Sequence, residues 1–344
     1  MPDTSMRRRP RAPSPFPAHA GAMRLALHDP DYPALLRRTP DPPRILHVAG
    51  DPGVLWHPGV AIVGSRAPTA GGRDIAFEFA RAFAASGLAV ISGLAAGIDT
   101  AAHDGALAAD GRTIAVLGTG VDVPYPRRNT ALYQRIAATG AIASEYPPGT
   151  GVHKGQFPRR NRIIAGLALG TLVVEAAHRS GALITARLAA DAGREVFAIP
   201  GSIHNPKARG CHRLIRDGAA LVETPQEVIE ALAQVAEALA QSLRDRMPTR
   251  AEPGGRAPFA TTQNALEERR GHALPAPVCP HSSSTSAEDP DYKKLWRALG
   301  HDPTGMDALV ERTGLTAATL SSMLLLMELD GRVVVEHGRY SRKR

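Results

Sequence analysis

Two clusters of residues in this chain have the makeup of an anion-binding surface. One is Phe157-Pro158-Arg159-Arg160-Asn161-Arg162, followed by the apolar run Ile163-Ile164-Ala165-Gly166-Leu167. The other is Gly64-Ser65-Arg66, directly after Val60-Ala61-Ile62-Val63. Guanidinium groups are costly to desolvate without an anion, and their planar fork of donors matches phosphate oxygens. The pattern predicts that Arg160, Asn161 and Arg162 stand where a loop hands over to a helix, so that side chains and free N–H groups meet one phosphate. Glycine and serine after a strand let such a group approach the backbone.

The same small-residue pattern recurs at Ser92-Gly93, Gly118-Thr119-Gly120 and Pro200-Gly201-Ser202. Arg66, Arg127, Lys154, Arg160 and Arg162 fall in predicted loops or at predicted helix starts, and are assigned to anion binding. Arg73, Arg81, Arg135 and Arg187 fall within helical patterns and read as solvated surface. Phe157 lies between Lys154 and Arg160 in a chain with only 4% aromatic residues. Beside bound phosphates its ring can stack an unpaired base, although a lone aromatic is more often core.

Asp99, Asp122, Glu145 and Glu175 are the carboxylates at these strand ends. A general base among them needs a placed substrate as well as proximity. The simpler expectation is that Asp99 caps the helix from Thr100 and the others orient arginines. His103 follows Asp99 by one helical turn, with a structural hydrogen bond as its expected use, and the pair offers too few ligands for a metal. No cofactor is expected. Val123 stands where a dinucleotide fingerprint starting at Gly118 needs a small residue, Gly64 has no glycine two residues on, and no Gly-x4-Gly-Lys-Ser/Thr occurs.

The elements that must hold these residues follow from periodicity. From Val60 to about Leu232, short apolar runs alternate with amphipathic segments, which predicts parallel strands joined by helical crossovers. Strands are expected at 60–63, 88–91, 113–117, 141–143, 172–174, 196–199 and 220–222. Helices are expected at 73–86, 100–109, 129–139, 162–169 and 185–192, with Gly87, Gly111, Gly140, Gly170 and Gly193 as C-terminal caps. Ligands of such sheets bind beyond the carboxyl ends of the strands, where the glycines and arginines lie.

The predicted organisation is a flexible basic arm (1–22), a lead-in segment (23–56), a Rossmann-like doubly wound α/β domain with a mostly parallel sheet (57–240), a disordered linker (241–287) and a small winged-helix-like domain (288–344). The last is read from three short helical patterns before the hairpin-like 332–340. The exposed positions of its would-be recognition helix, Ala317, Ala318, Ser321 and Ser322, offer no basic residue to a groove.

Composition agrees with a polyanionic partner: 344 residues, 43% hydrophobic, carry a formal net charge of +8. Cys211 and Cys279 lie far apart and form neither a disulfide framework nor a metal pattern, which fits a reducing cytoplasm. No apolar run reaches signal-peptide or membrane-span length, so a soluble, unexported protein is expected.

With these residues assembled, the chain resembles the DprA/Smf family of DNA-processing proteins. The resemblance rests on Val63-Gly64-Ser65-Arg66, Ser92-Gly93-Leu94-Ala95-Ala96-Gly97-Ile98-Asp99-Thr100-Ala101-Ala102-His103, Thr113 to Gly120, Tyr125-Pro126-Arg127-Arg128-Asn129, Phe157 to Arg162 and Ser180 to Ala186. It implies a protein without known catalysis that binds single-stranded DNA, forms homodimers and loads RecA recombinase during natural transformation. It further implies that Gly64, Ser65 and Arg66 hold phosphate, that Arg127 and Lys154 add charge, that Phe157 contacts the strand, and that Arg160, Asn161 and Arg162 share a site motif. The helical N-terminal domain of many members is expected to be absent or reduced to the arm and lead-in segment.

The alternative is an enzyme similar to the lysine-decarboxylase-like nucleotide phosphoribohydrolases. Gly170-Thr171-Leu172-Val173-Val174-Glu175 is similar to their Gly-Thr-x-x-Glu pattern with one residue more before the glutamate, but Leu167-Ala168-Leu169 replaces the expected Pro-Gly-Gly.

Overall fold

The computed structural model describes residues 22–244, 289–300, 302–336 and 339–343. Most of the predicted basic arm and nearly all of the predicted linker lie outside the described residues.

Strands β1 (Met23–Ala26), β2 (Ile45–Gly50), β3 (Gly59–Val63), β4 (Ala89–Ser92), β5 (Thr113–Leu117), β6 (Ala141–Ser144), β7 (Gly170–Val173), β8 (Glu195–Ala198) and β9 (Ala220–Leu221) form one sheet in the order β1-β2-β6-β5-β4-β3-β7-β8-β9. From β6 to β9 all neighbours are parallel, whereas β2 pairs antiparallel with both β6 and β1. The lead-in segment therefore extends the sheet. Its short helix, α1 (Ala34–Arg37), buries Leu35 and Leu36.

Crossovers are made by α2 (Ala70–Ala85), α3 (Ile98–Ala108), α4 (Thr130–Thr139), α5 (Gln156–Leu167), α6 (Gly181–Asp191) and α7 (Arg209–Arg216), and α8 (Pro225–Arg244) follows β9. Alternation along β3 assigns residues to the two helical layers. Val60 and Ile62 join a core with Phe79, Phe83 and Ile98, while Ala61 and Val63 join one with Ile163, Ile164 and Leu167. Both faces are covered, which is why the strand reads as apolar throughout. Phe83 is fully buried and meets Phe79 edge-on at 6.0 Å. Its truncation to alanine would cost about 3–5 kcal/mol.

Two boundaries correct the sequence reading. Helix α5 begins at Gln156 rather than at Arg162, because Pro158 is tolerated in a first helical turn, where its missing N–H has no partner to lose. Of the predicted caps, Gly87 and Gly193 do take the left-handed conformation after α2 and α6, but Asp110 takes it before Gly111 (φ 51°), and Gly170 opens β7.

The chain reverses direction across the sheet at β3, between β4 and β7. Loops leaving the two flanking strands diverge there and open a crevice at the carboxyl edge.

A second sheet is small. Helices α9 (Pro290–Ala298), α10 (Met306–Thr313) and α11 (Ala317–Leu329) pack around Leu295, Leu309, Leu320 and Leu324. They are joined by β10 (Thr304–Gly305) and the hairpin β11 (Val333–Glu336) and β12 (Arg339–Arg342), in the order β10-β12-β11. This is a winged-helix arrangement.

Candidate nucleic-acid interface

The loops after β3 and β4 are packed backbone to backbone. Ile98 N–H donates to the Ser65 carbonyl at 3.1 Å. A Cβ on Gly64 would lie 2.7 Å from Ile98 Cγ1, and one on Gly97, at φ +87°, would lie 2.3 Å from the Ser65 oxygen. Only glycine fits at either point. Asp99 Oδ2 accepts from the N–H groups of Gly93 and Ala95 at 3.1 and 3.2 Å. Asn129 adds a third tie, donating from Nδ2 to the Leu94 carbonyl and to Thr100 Oγ1, both at 2.9 Å.

Beneath this rim lies Arg160, 4% exposed. Its Nη1 donates to the Val116 carbonyl at 2.8 Å, and Asp99 supplies the nearest opposing charge. Burial pulls the Arg160 guanidinium down to about 10 and pushes the Asp99 carboxyl above its usual range, each opposed by the charge of the other. His103 is buried nearby. Thr113 Oγ1 donates to the Val90 carbonyl, so His103 Nδ1 must donate to Thr113 Oγ1, at 2.7 Å. Burial, helped by the Arg160 charge, lowers this imidazole to about 3, and it stays neutral.

A cleft of about 400 Å³ opens at the crevice, lined by Gly64, Arg66, Phe157, Arg160, Asn161 and the start of α6 at Ser180–Gly181, among others. A hollow of about 190 Å³ adjoins it, with Tyr125 and Arg128 in its wall. Arg66, Phe157 and Arg160 line both, with the Arg66 guanidinium 5.9 Å from the Phe157 ring centroid. Tyr125 meets Phe157 at 5.3 Å, with the rings tilted by 39°. An exposed cation at Arg66 beside the half-buried Phe157 ring and the exposed Tyr125 ring can hold phosphate and stack bases.

Of the predicted residues, the structure brings together Gly64, Arg66, Phe157, Arg160 and Asn161 at this cleft. Ser65 belongs to the same loop, where its Oγ accepts from Ala67 N–H at 3.2 Å. Arg127 and Lys154 are exposed, but neither lines the cleft or the adjoining hollow. Arg162 is turned away. Residues two apart on a helix point to opposite faces, so Arg160 and Arg162 cannot both serve the strand ends. Arg162 instead pairs with Glu145 Oε1 at 2.6 Å and Asp41 Oδ2 at 2.8 Å. Sequence reasoning missed Tyr125 and Arg128 as site residues, although their positions in Tyr125-Pro126-Arg127-Arg128 carried the signal.

The carboxylates have structural partners. Glu175 accepts from Thr69 N–H at 2.9 Å and Thr69 Oγ1 at 2.7 Å, holding the start of α2. Asp122 accepts from Gly149 N–H at 2.7 Å. Glu145 orients Arg159 and Arg162. Among the described residues no group of three or more His, Cys, Asp or Glu could hold a metal ion, and no helix is long and apolar enough to cross a membrane.

Comparison with known proteins identifies a family for the chain. A family model described as DNA recombination-mediator protein A matches residues 23–233, and one described as DprA winged helix domain matches 280–339. The chain is 39% identical to Protein Smf of Synechocystis sp., over 93% of its own length and 80% of that protein. It is 47% identical to DNA processing protein DprA of Streptococcus pneumoniae, over 60% of this chain and 72% of that one. The X-ray structure of the pneumococcal protein superposes with a TM-score of 0.59 at 45% identity, covering 61% of this chain and 74% of that chain. A Helicobacter pylori DprA structure, described by its single-stranded DNA binding mode, superposes with a TM-score of 0.56 at 30% identity, covering 62% and 97%.

Proposed function

The chain belongs to the DNA recombination-mediator protein A (DprA/Smf) family, and on that premise we propose that it binds single-stranded DNA at the crevice beyond the carboxyl end of β3, protects the strand and delivers it to RecA recombinase during natural transformation. One observation carries the reading: the exposed Arg66 and the half-buried Phe157 ring form a cation–aromatic pair that lines both hollows. Such a pair binds a phosphate and stacks a base without requiring a particular sequence.

Within this proposal, Gly64, Ser65, Arg66, Phe157 and Asn161 contact the strand and Tyr125 extends the stacking surface. Arg127 and Lys154 add charge at a distance, while Arg160 and Arg162 hold the scaffold. Action in the cytoplasm as a homodimer belongs to the same proposal. The open sheet edge at β9, with Leu221 48% exposed, supports dimer formation.

The proposal assigns no catalytic step. Glu175, the residue that carried the phosphoribohydrolase alternative, is 6% exposed and occupied by Thr69 and Asn205. Gel-shift titration with oligothymidylate across a salt series, run beside an assay for free base release from nucleoside monophosphates, tests the reading. Salt-sensitive binding without release supports it, and base release without strand binding overturns it.

A further inference from the structure

Helix α9 presents Lys293, Lys294 and Arg297 to solvent, and together with α10 it faces the first turns of α2 across a cleft of about 660 Å³. The charged residues lining this cleft are Arg73, Lys293, Lys294, Arg297 and Arg312 against Asp74 and Asp291. Arg312 bridges the two domains: Nη2 lies 2.5 Å from Asp74 Oδ2, and Nη1 donates to the Ala298 carbonyl at 3.4 Å. That contact neutralises Asp74. Among the described residues, Arg73, Lys293, Lys294 and Arg297 make no ion pair, so the cleft holds unbalanced positive charge.

We propose that this cleft is a second subsite for the backbone of single-stranded nucleic acid, continuing the path of a strand held at Arg66. The inference rests on the strand-binding reading above. Its connection to that site is covalent and short: the Gly64–Arg66 loop runs directly into α2, whose first turns supply Ala70 and Arg73. Lys207 donates to the Ala67 carbonyl and fastens the connecting turn.

The chemistry selects a polyanionic chain. Lys293, Lys294 and Arg297 lie at i, i+1 and i+4, spread over about 6 Å of helix axis, with Arg73 across the cleft. An extended series of phosphates matches that spacing better than one compact anion. No aromatic ring and no Asn or Gln lines the cleft to read a base, so it binds backbone and carries no sequence preference. Duplex docking through α11 is not what these residues serve, because that helix exposes Ala317, Ala318, Ser321 and Ser322 in place of cations.

The test uses the full chain and two oligothymidylates, of about six and about thirty nucleotides, bracketing typical single-strand site sizes. The variant Lys293→Gln/Lys294→Gln/Arg297→Gln should bind the long strand about tenfold more weakly at low salt, with a salt slope lower by about 2, and bind the short strand as the parent does. Arg73→Gln, on the other side of the cleft, should lower the long-strand slope by about 0.7. Unchanged long-strand affinity and slope in both variants overturns the proposal, as does equal loss on both strand lengths. Arg66→Ala separates the two claims. If it affects neither strand length while the triple variant still weakens the long one, the crevice reading fails and the cleft remains as a separate subsite.

Discussion

The Arg160 guanidinium lies so close to Gly93 that a Cβ there would come within 1.6 Å of Nη1. The two residues form one structural unit, with Asp99 as its counter-charge. Arg160→Ala should destabilise the protein by about 3–5 kcal/mol, because it strands Asp99 as a buried, unpaired acid. Denaturant titration of Arg160→Ala, Asp99→Asn and the double variant checks this. The double variant should be more stable than the sum of the single losses. A stable Arg160→Ala protein that no longer binds DNA would return Arg160 to the strand.

Arg66→Ala should leave the fold intact, since the side chain is exposed. The loss of one charge-assisted phosphate contact should weaken single-strand binding by about 1.5–3 kcal/mol and lower the salt slope by about 0.7. Fluorescence anisotropy across a salt titration measures both.

Phe157→Ala should lower single-strand affinity by about 1–3 kcal/mol, the usual worth of one stacked base, with the residual binding electrostatic. Tyr125→Ala should act in the same direction, since the two rings touch. Equal affinity of the parent protein for duplex and single strand at one salt concentration would defeat this assignment.

Stability should fall as the medium is acidified below pH 6.5. Folded His103 takes up its proton only near 3, whereas the unfolded chain does so at 6.5, so between those values the unfolded state binds more protons. From pH 7 to 5 the resulting loss is about 2 kcal/mol. His103→Gln should remove that increment, read as the difference in denaturation free energy between parent and variant at the two pH values.

A fragment of residues 23–240 should remain soluble and bind short oligothymidylate, because the sheet, crevice and most of α8 lie within it. Native gel shifts of the fragment and the full chain compare them. Loss of short-strand binding in a folded fragment would give the winged-helix domain a larger part than the crevice geometry assigns it.

Much of this fold was legible because apolar runs and glycines report local structure directly. The strand at 113–117 matches residue for residue, and β3, β6 and β8 lie within one residue of expectation at each end. What failed was the orientation of arginines. Arg160 and Arg162 look equivalent in sequence, but the early start of α5 puts them on opposite faces, one beneath the sheet edge and one against Asp41, 121 residues away. Pairing at that separation leaves no local pattern. The basic face of α9 escaped attention for a related reason: its meaning depends on Arg73, which belongs to another domain.

The glycine rim has an evolutionary consequence. At Gly64, Gly93 and Gly97 any side chain would collide with neighbouring atoms. A substitution at Gly64 or Gly97 would require the backbone of the crevice floor to shift, whereas the outward cations and rings can change one at a time. Relatives built this way would differ in how tightly they grip their ligand while keeping the place where they grip it.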